Sequence, residues 1–418
     1  MRDFLYLRFM ETFYHTLPNG LRIVHRESMS EVAYIGIMIG AGTRDENKPT
    51  NGMAHYIEHC VFKGTHHHTA RQIIHSIEGI GGEINAYTTK EETTFYAATL
   101  TEHAQSTLHL IAEMILEPAF RKEETDKERT VIFEEIESYN DSPSELIYDD
   151  FENMIFEGSS LAMPILGTKR TLRRISKSPD IALNWMKTHY RPERMVLFVL
   201  GNVTTQQVVA AAERELGELS STTSITSTTS TTSNPSATTR TYRRHTHQTH
   251  IMLGSHAYPI GHPKQLTMYL LNNILGGGSM SSRLYLSLRE KHGLVYNIDS
   301  QAVPLSDTGY WNIYLACEPQ HKDQCLELCH KELQTLRDLR LTSSQLQRAL
   351  RQLEGQMAIS AENQENNALA MAKQMLYHHH APGWRETFAK VKEITPTQLQ
   401  EVANEVFAPE KIYTLLYD

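Results

Sequence analysis

Between Ser220 and Ser233 every residue except Ile225 is Ser or Thr. Such a tract has no apolar surface to bury, so it reads as a solvated linker joining two separately folded parts. Fully extended, residues 220–240 reach at most ~70 Å. The parts on either side read alike. In the first, Arg22–Val24 and Ala33–Ile39 read as strands, 52–62 and 69–79 as helices, and 83–88 and 92–100 as strands. Helices follow over 102–117 and 121–140. In the second, His250–Leu253 reads as a strand and 265–275 and 281–291 as helices. Strands then fall over 294–303 and 308–317, with helices over 320–339 and 343–376. The common order of strand, two helices, strand pair and helices predicts a duplicated α+β unit. The expected domains are 1–219 and 241–418, joined by the linker 220–240. Each is a mainly antiparallel sheet with helices packed on one face.

Composition narrows the function classes. The 418 residues carry 40 Lys+Arg against 49 Asp+Glu, a net charge of −9 that leaves no basic footprint for nucleic acid. No apolar run approaches the ~18–20 residues of a membrane span. Four cysteines in so long a chain fit a reducing compartment, so a cytoplasmic protein is expected. Phe4–Leu7 is apolar but bracketed by Asp3, Arg8 and Glu11, which fits an N-terminal strand better than an export signal; Met10 is an alternative start.

His55-Tyr56-Ile57-Glu58-His59 bears the chemistry. On a helix, positions i, i+3 and i+4 share one face, so His55, Glu58 and His59 converge while Ala54, Ile57, Val61 and Phe62 pack behind. Two neutral imidazoles four residues apart can ligate one Zn²⁺, and the glutamate before the second histidine gives the inverted H-x-x-E-H order. A di-iron site wants Glu-x-x-His, but Val61 stands three residues after Glu58. With 22 histidines in the chain the motif can also arise by chance.

A catalytic zinc needs three protein ligands and one open position. The segment Glu128–Ile136 reads as an amphipathic helix through Val131, Ile132 and Ile136. Glu128 and Glu135 lie two turns apart along one stripe, whereas Glu134 and Glu137 face water. Glu135 is the candidate third ligand, and Glu128 could orient a ligand histidine.

These residues sit among further landmarks: Leu17-Pro18-Asn19-Gly20-Leu21, Gly40 to Glu46, Gly52 to His59, Phe62-Lys63-Gly64-Thr65 and Gly81 to Thr88. Over nearly its whole length the chain resembles the pitrilysin/insulinase metallopeptidases, in particular the group that includes the mitochondrial processing peptidase. The family's third ligand aligns with Glu135 and its supporting acidic residue with Glu128. The resemblance implies that 83–88 is an edge strand with Asn85 and Ala86 near a peptide that binds by strand addition. It also implies that Arg289 and Tyr296 help hold the substrate carbonyl opposite the zinc. The stretch matching the zinc helix in the second half reads Tyr269-Leu270-Leu271-Asn272-Asn273, so that half is expected to be metal-free.

The expected protein is a zinc endopeptidase or oligopeptidase with one Zn²⁺ per chain, cleaving peptides or unfolded segments with a zinc-activated water and Glu58 as general base. The resemblance further implies a homodimer whose Arg289 and Tyr296 reach the partner's zinc. The alternative is a non-catalytic or partner-dependent subunit of a related heteromeric complex. Gly276-Gly277-Gly278-Ser279 lacks the P-loop lysine and reads as a turn. His66–His68, His245/His247/His250 and His378–His380 read as solvated loop residues, Cys60 as a packed thiol, and Cys325 and Cys329 as helix neighbours without a partner pair.

Overall fold

A computed structural model describes residues 11–220, 237–244 and 246–418. The Ser/Thr tract after Ser220, the Phe4–Leu7 run and His245 lie outside the described residues. The fold is α+β, in two compact units.

In the first unit, six strands among the described residues form one sheet: β1 (Thr12–Thr16), β2 (Arg22–Glu27), β3 (Val32–Ile39), β4 (Glu83–Thr88), β5 (Thr93–Leu100) and β6 (Met195–Gly201). Their order is β1-β2-β6-β3-β5-β4, antiparallel throughout except between β2 and β6. β6, which the sequence reading omits, lies within the sheet and is buried along its whole length. Its Met-Val-Leu-Phe-Val-Leu run has no alternation because both faces are covered. On one face lie α1 (Met53–Val61), α2 (Ala70–Glu78), α3 (Ala104–Leu116) and the start of α4 (Lys122–Asn140). Ile57, Ile73, Ile77, Leu108, Ile111 and Ile132 from these helices share a core with Ile23, Ile35, Ile37 and Phe95.

Among the described residues the opposite face is closed by a single helix, Gln364–His378. Its Ala368, Met371, Ala372 and Met375 pack on Val24, Met38, Val196 and Phe198. Arg22 donates to the carbonyls of Met375 and Leu376 at 3.0 and 2.8 Å, and Lys373 pairs with buried Glu92 at 2.6 Å.

The second unit repeats the pattern. β7 (Thr239–Tyr242), β8 (Thr249–His256), β9 (Val295–Pro304), β10 (Gly309–Cys317) and β11 (Tyr413–Tyr417) stand in the order β7-β11-β8-β10-β9. Only β7 and β11 run parallel. The same order and directions without β1 describe the first sheet, so the duplication extends to strand pairing. Helices bearing Leu271, Leu333, Leu353 and Val402 cover one face. On the other, Phe151 and Met154 of the helix Pro143–Ile155 pack on Met252, Leu415 and Tyr417.

The units are discontinuous in sequence and differ from the expected domains 1–219 and 241–418. The first comprises the described residues of Met1–Glu137, Met163–Thr228 and Ala361–Pro382. The second comprises those of Ser138–Ala162, Thr229–Ser360 and Gly383–Asp418. Each sheet thus receives the helix over its second face from the other half of the sequence.

Two helical expectations also change. Residues 343–376 form two helices, Ser343–Ser360 and Gln364–His378, because Asn363 caps the second by accepting from Asn366 N at 2.9 Å. Residues Tyr285–Lys291, within the helix expected over 281–291, wind as a π-helix. Among the described residues no helix is long and apolar enough to cross a membrane.

Candidate metal centre

α1 begins at Gly52, whose φ of +88° is one that L side chains avoid. A Cβ there would stand 2.9 Å from Gly167 Cα and from Leu166 O. The helix N-terminus is capped from a distance. The buried Glu46 carboxylate accepts from the backbone N–H of Gly52 and Ala54, each at 2.8 Å, and from Asn51 Nδ2 at 3.1 Å. Burial pushes the Glu46 carboxyl up to about 7 against these donors. The cap fixes the first turn, and the next residue is His55.

His55 and His59 project from one face of α1, with ring centroids 4.5 Å apart. From α4, Glu135 brings Oε1 to 3.6 Å from His55 Nε2 and Oε2 to 3.3 Å from His59 Nε2. One ligand atom from each of these three residues lies within 4.8 Å of the others. Glu128, a helical stripe neighbour of Glu135, is buried and places Oε1 2.7 Å from His59 Nδ1, while Lys63 Nζ reaches its Oε2 at 2.7 Å. Glu58 lies on the same helix face and accepts from the Thr88 hydroxyl at 2.6 Å.

The electrostatics differ across the cluster. Burial holds His55 down to about 4, with the neighbouring His59 acting in the same direction. Burial also opposes protonation of His59, but the Glu128 and Glu135 carboxylates outweigh it and lift that imidazole to about 9. Burial raises the Glu58 carboxyl despite the Thr88 hydrogen bond. The hydrogen bond from His59 lowers Glu135. Two imidazoles and a carboxylate are the donor set of a catalytic zinc, and their mutual approach fits one such ion. Glu128 on the far nitrogen of His59 would leave Nε2 turned to the metal.

The remaining candidates fall elsewhere. Asn85 and Ala86 lie on β4, an edge strand, paired with Tyr96 and Phe95 of β5. Arg289 and Tyr296 belong to the second unit, where the Arg289 guanidinium lies over the rings of Tyr285 and Tyr296 at 4.9 and 5.1 Å. Tyr296 is 77% exposed. Val131, expected among the apolar contacts of α4, is 50% exposed, because the stripe that packs runs through Glu128, Ile132 and Ile136.

In the His66–His68 loop, His66 and His67 are exposed as expected, and His68 is half-buried. His67 pairs with Glu117 and His68 with Glu113, each at 2.8 Å. His250 is buried against the Tyr314 hydroxyl at 2.9 Å, and His379 forms the left-handed cap of the helix Gln364–His378. All four cysteines are free and buried. Glu46, Lys63 and Thr88 received no role from the sequence, although each stands inside a landmark segment.

Residues 22–169 match the family model described as Insulinase (Peptidase family M16), and residues 178–353 match the Peptidase M16 inactive domain. The chain is 34% identical to the Uncharacterized zinc protease YmxG of Bacillus subtilis, with 84% of each chain covered. It is 26% identical to the Mitochondrial-processing peptidase subunit beta of Bos taurus, covering 94% of this chain and 81% of that one. A crystal structure of a protease from Helicobacter pylori superposes with a TM-score of 0.89 at 21% identity, covering 98% of this chain and 100% of that chain.

Proposed function

The chain belongs to the insulinase family of zinc peptidases, M16, and on that premise we propose that it is a zinc-dependent endopeptidase or oligopeptidase acting on peptides or unfolded segments. The observation that carries this reading is the convergence of His55, His59 and Glu135 with Glu58 on the same helix face. One zinc per chain, held by those three residues, would supply Lewis acidity for carbonyl polarisation and water activation. Glu58 takes the proton of the attacking water on its carboxylate and delivers it to the leaving amine nitrogen. Glu128 holds His59 through Nδ1, and Lys63 balances the charge of Glu128. Asn85 and Ala86, on an open strand edge, receive the peptide backbone as an added strand.

Arg289 and Tyr296 are proposed to face the substrate carbonyl in a homodimer, each chain serving its partner's zinc. The exposed Tyr296 ring and the guanidinium stacked on it offer a phenol and a cation to a developing oxyanion. The second reading is a partner-dependent subunit, favoured by the match of residues 178–353 to an inactive domain. Four free thiols support a reducing compartment such as the cytoplasm.

The test is incubation of the purified protein with a mixed peptide library, with and without chelator, reading cut sites by mass spectrometry. Chelator-sensitive cleavage is expected; its absence would remove the homodimeric peptidase reading. Glu58→Gln should keep its zinc while losing roughly 10²–10⁴-fold in rate. Zinc loss equal to that of His55→Ala would refute that division of roles. Mixing Glu58→Gln with Arg289→Ala subunits should restore one intact site per mixed dimer, and no recovery would place each site within one chain.

A further inference from the structure

Thr88 is the last residue of β4 and pairs with Thr93 across the antiparallel ladder. Side chains alternate along a strand, so Ile84, Ala86 and Thr88 share one face. Ile84 and Ala86 pack against the apolar core on that face. The third position, where the pattern calls for another apolar residue, carries a hydroxyl. That hydroxyl donates to Glu58 Oε2 at 2.6 Å, the short distance of a charge-assisted O–H···O⁻ bond. Its other polar neighbour, the Thr93 hydroxyl, lies 3.5 Å away and itself donates to Ala41 O at 2.9 Å. Among the described residues the Thr88 proton therefore has one close acceptor, the Glu58 carboxylate.

A glutamate's terminal torsion is broad and nearly two-fold, so an unanchored carboxylate rotates among many orientations. Among the described residues Glu58 has this one hydrogen bond, made at Oε2. Holding one oxygen fixes the plane of the group and leaves Oε1 to accept a proton. The donor comes from an edge strand rather than from α1, so the carboxylate is set by the sheet and not by its own helix alone.

We propose that Thr88 is a positioning residue that orients the Glu58 carboxylate for proton transfer. This rests on the reading of Glu58 as the general base. The test compares full-length, zinc-loaded wild type with Thr88→Val, which keeps the β-branched shape, and Thr88→Ser, which keeps the hydroxyl. Loss of a hydrogen bond to a charged group is worth roughly 10–100-fold. Thr88→Val should lose that much in kcat with KM within about twofold and with wild-type zinc content. Thr88→Ser should recover to within a few-fold of wild type. An unchanged kcat in Thr88→Val, or a Thr88→Ser variant as impaired as Thr88→Val, would overturn the proposal.

Crystal structures of the three proteins give a readout independent of turnover. The Glu58 carboxylate should leave its position in Thr88→Val and keep it in Thr88→Ser; an unmoved carboxylate in Thr88→Val overturns the inference. If wild type shows no chelator-sensitive cleavage, the peptidase reading fails while these structures still decide whether Thr88 sets Glu58.

Discussion

Glu128 stands between His59 Nδ1 and Lys63 Nζ, 2.7 Å from each, and burial would make its charge costly without both partners. Those partners hold its carboxyl below the usual range, although burial acts the other way. Glu128→Ala should weaken zinc affinity by roughly 10–100-fold, read by competition with a chromophoric chelator, while His55→Ala should lose far more. A second residue sets a pH dependence away from the metal. His25 on β2 is buried, with Nδ1 3.2 Å from Thr205 Oγ1, and burial lowers its pKa to about 4. The unfolded chain takes up this proton below pH 6.5, whereas the folded chain does so only near 4. The stability from neutral His25 is therefore complete above 6.5 and falls as the pH drops from 6.5 to 4. At about 1.36 kcal/mol per pH unit the effect is about 3 kcal/mol. Urea unfolding across that window should show a shallower slope for His25→Gln than for wild type; equal slopes would dismiss His25 as the source. The H-x-x-E-H face was legible because its members sit within one helical turn of each other. Lys63 and Thr88 were not, because their partners Glu128 and Glu58 lie far off in sequence and meet them only after the helices and β4 have packed.

At the scale of elements, the N-terminus of α1 joins two separate devices. Glu46 supplies the acceptors for its first N–H groups, and Gly52 permits the turn that enters it. Gly158 has the same φ of +88° but nothing within 4 Å of a built Cβ. Gly158→Ala should therefore cost only left-handed strain, about 1–2 kcal/mol. Gly52→Ala meets that strain and the approach to Gly167, so its Tm should fall further and its zinc content drop. Equal losses in the two variants would mean that the close contact relaxes freely. Periodicity located α1, α2 and the paired strands β4 and β5 within a residue or two. It failed at 343–376, where a single helix is expected across the polar run Glu362–Asn367, inside which Asn363 caps a second one. It also passed over β6, whose unbroken apolar run is the signature of a strand buried on both faces.

On the scale of the whole molecule, the duplicated order of elements was readable, but the exchange of helices was not. The pattern of Gln364–His378 says that it has an apolar side and does not say which sheet receives it. Residues 1–219 alone would leave Val24, Met38, Val196 and Phe198 uncovered. That fragment should aggregate, and appending residues 361–382 through a flexible linker should yield a soluble species with a cooperative unfolding transition. A soluble, cooperatively unfolding 1–219 fragment would contradict this. The same arrangement imposes a timetable on synthesis. The first unit cannot close its sheet until Pro382 has left the ribosome, about 150 residues after Thr228. At ~5–20 residues per second the bare face persists for roughly 10–30 s. During that interval the nascent chain offers a flat apolar surface to its neighbours on the polysome. Its yield in a cell should therefore depend on translation rate and on holdase chaperones more than its finished stability would indicate.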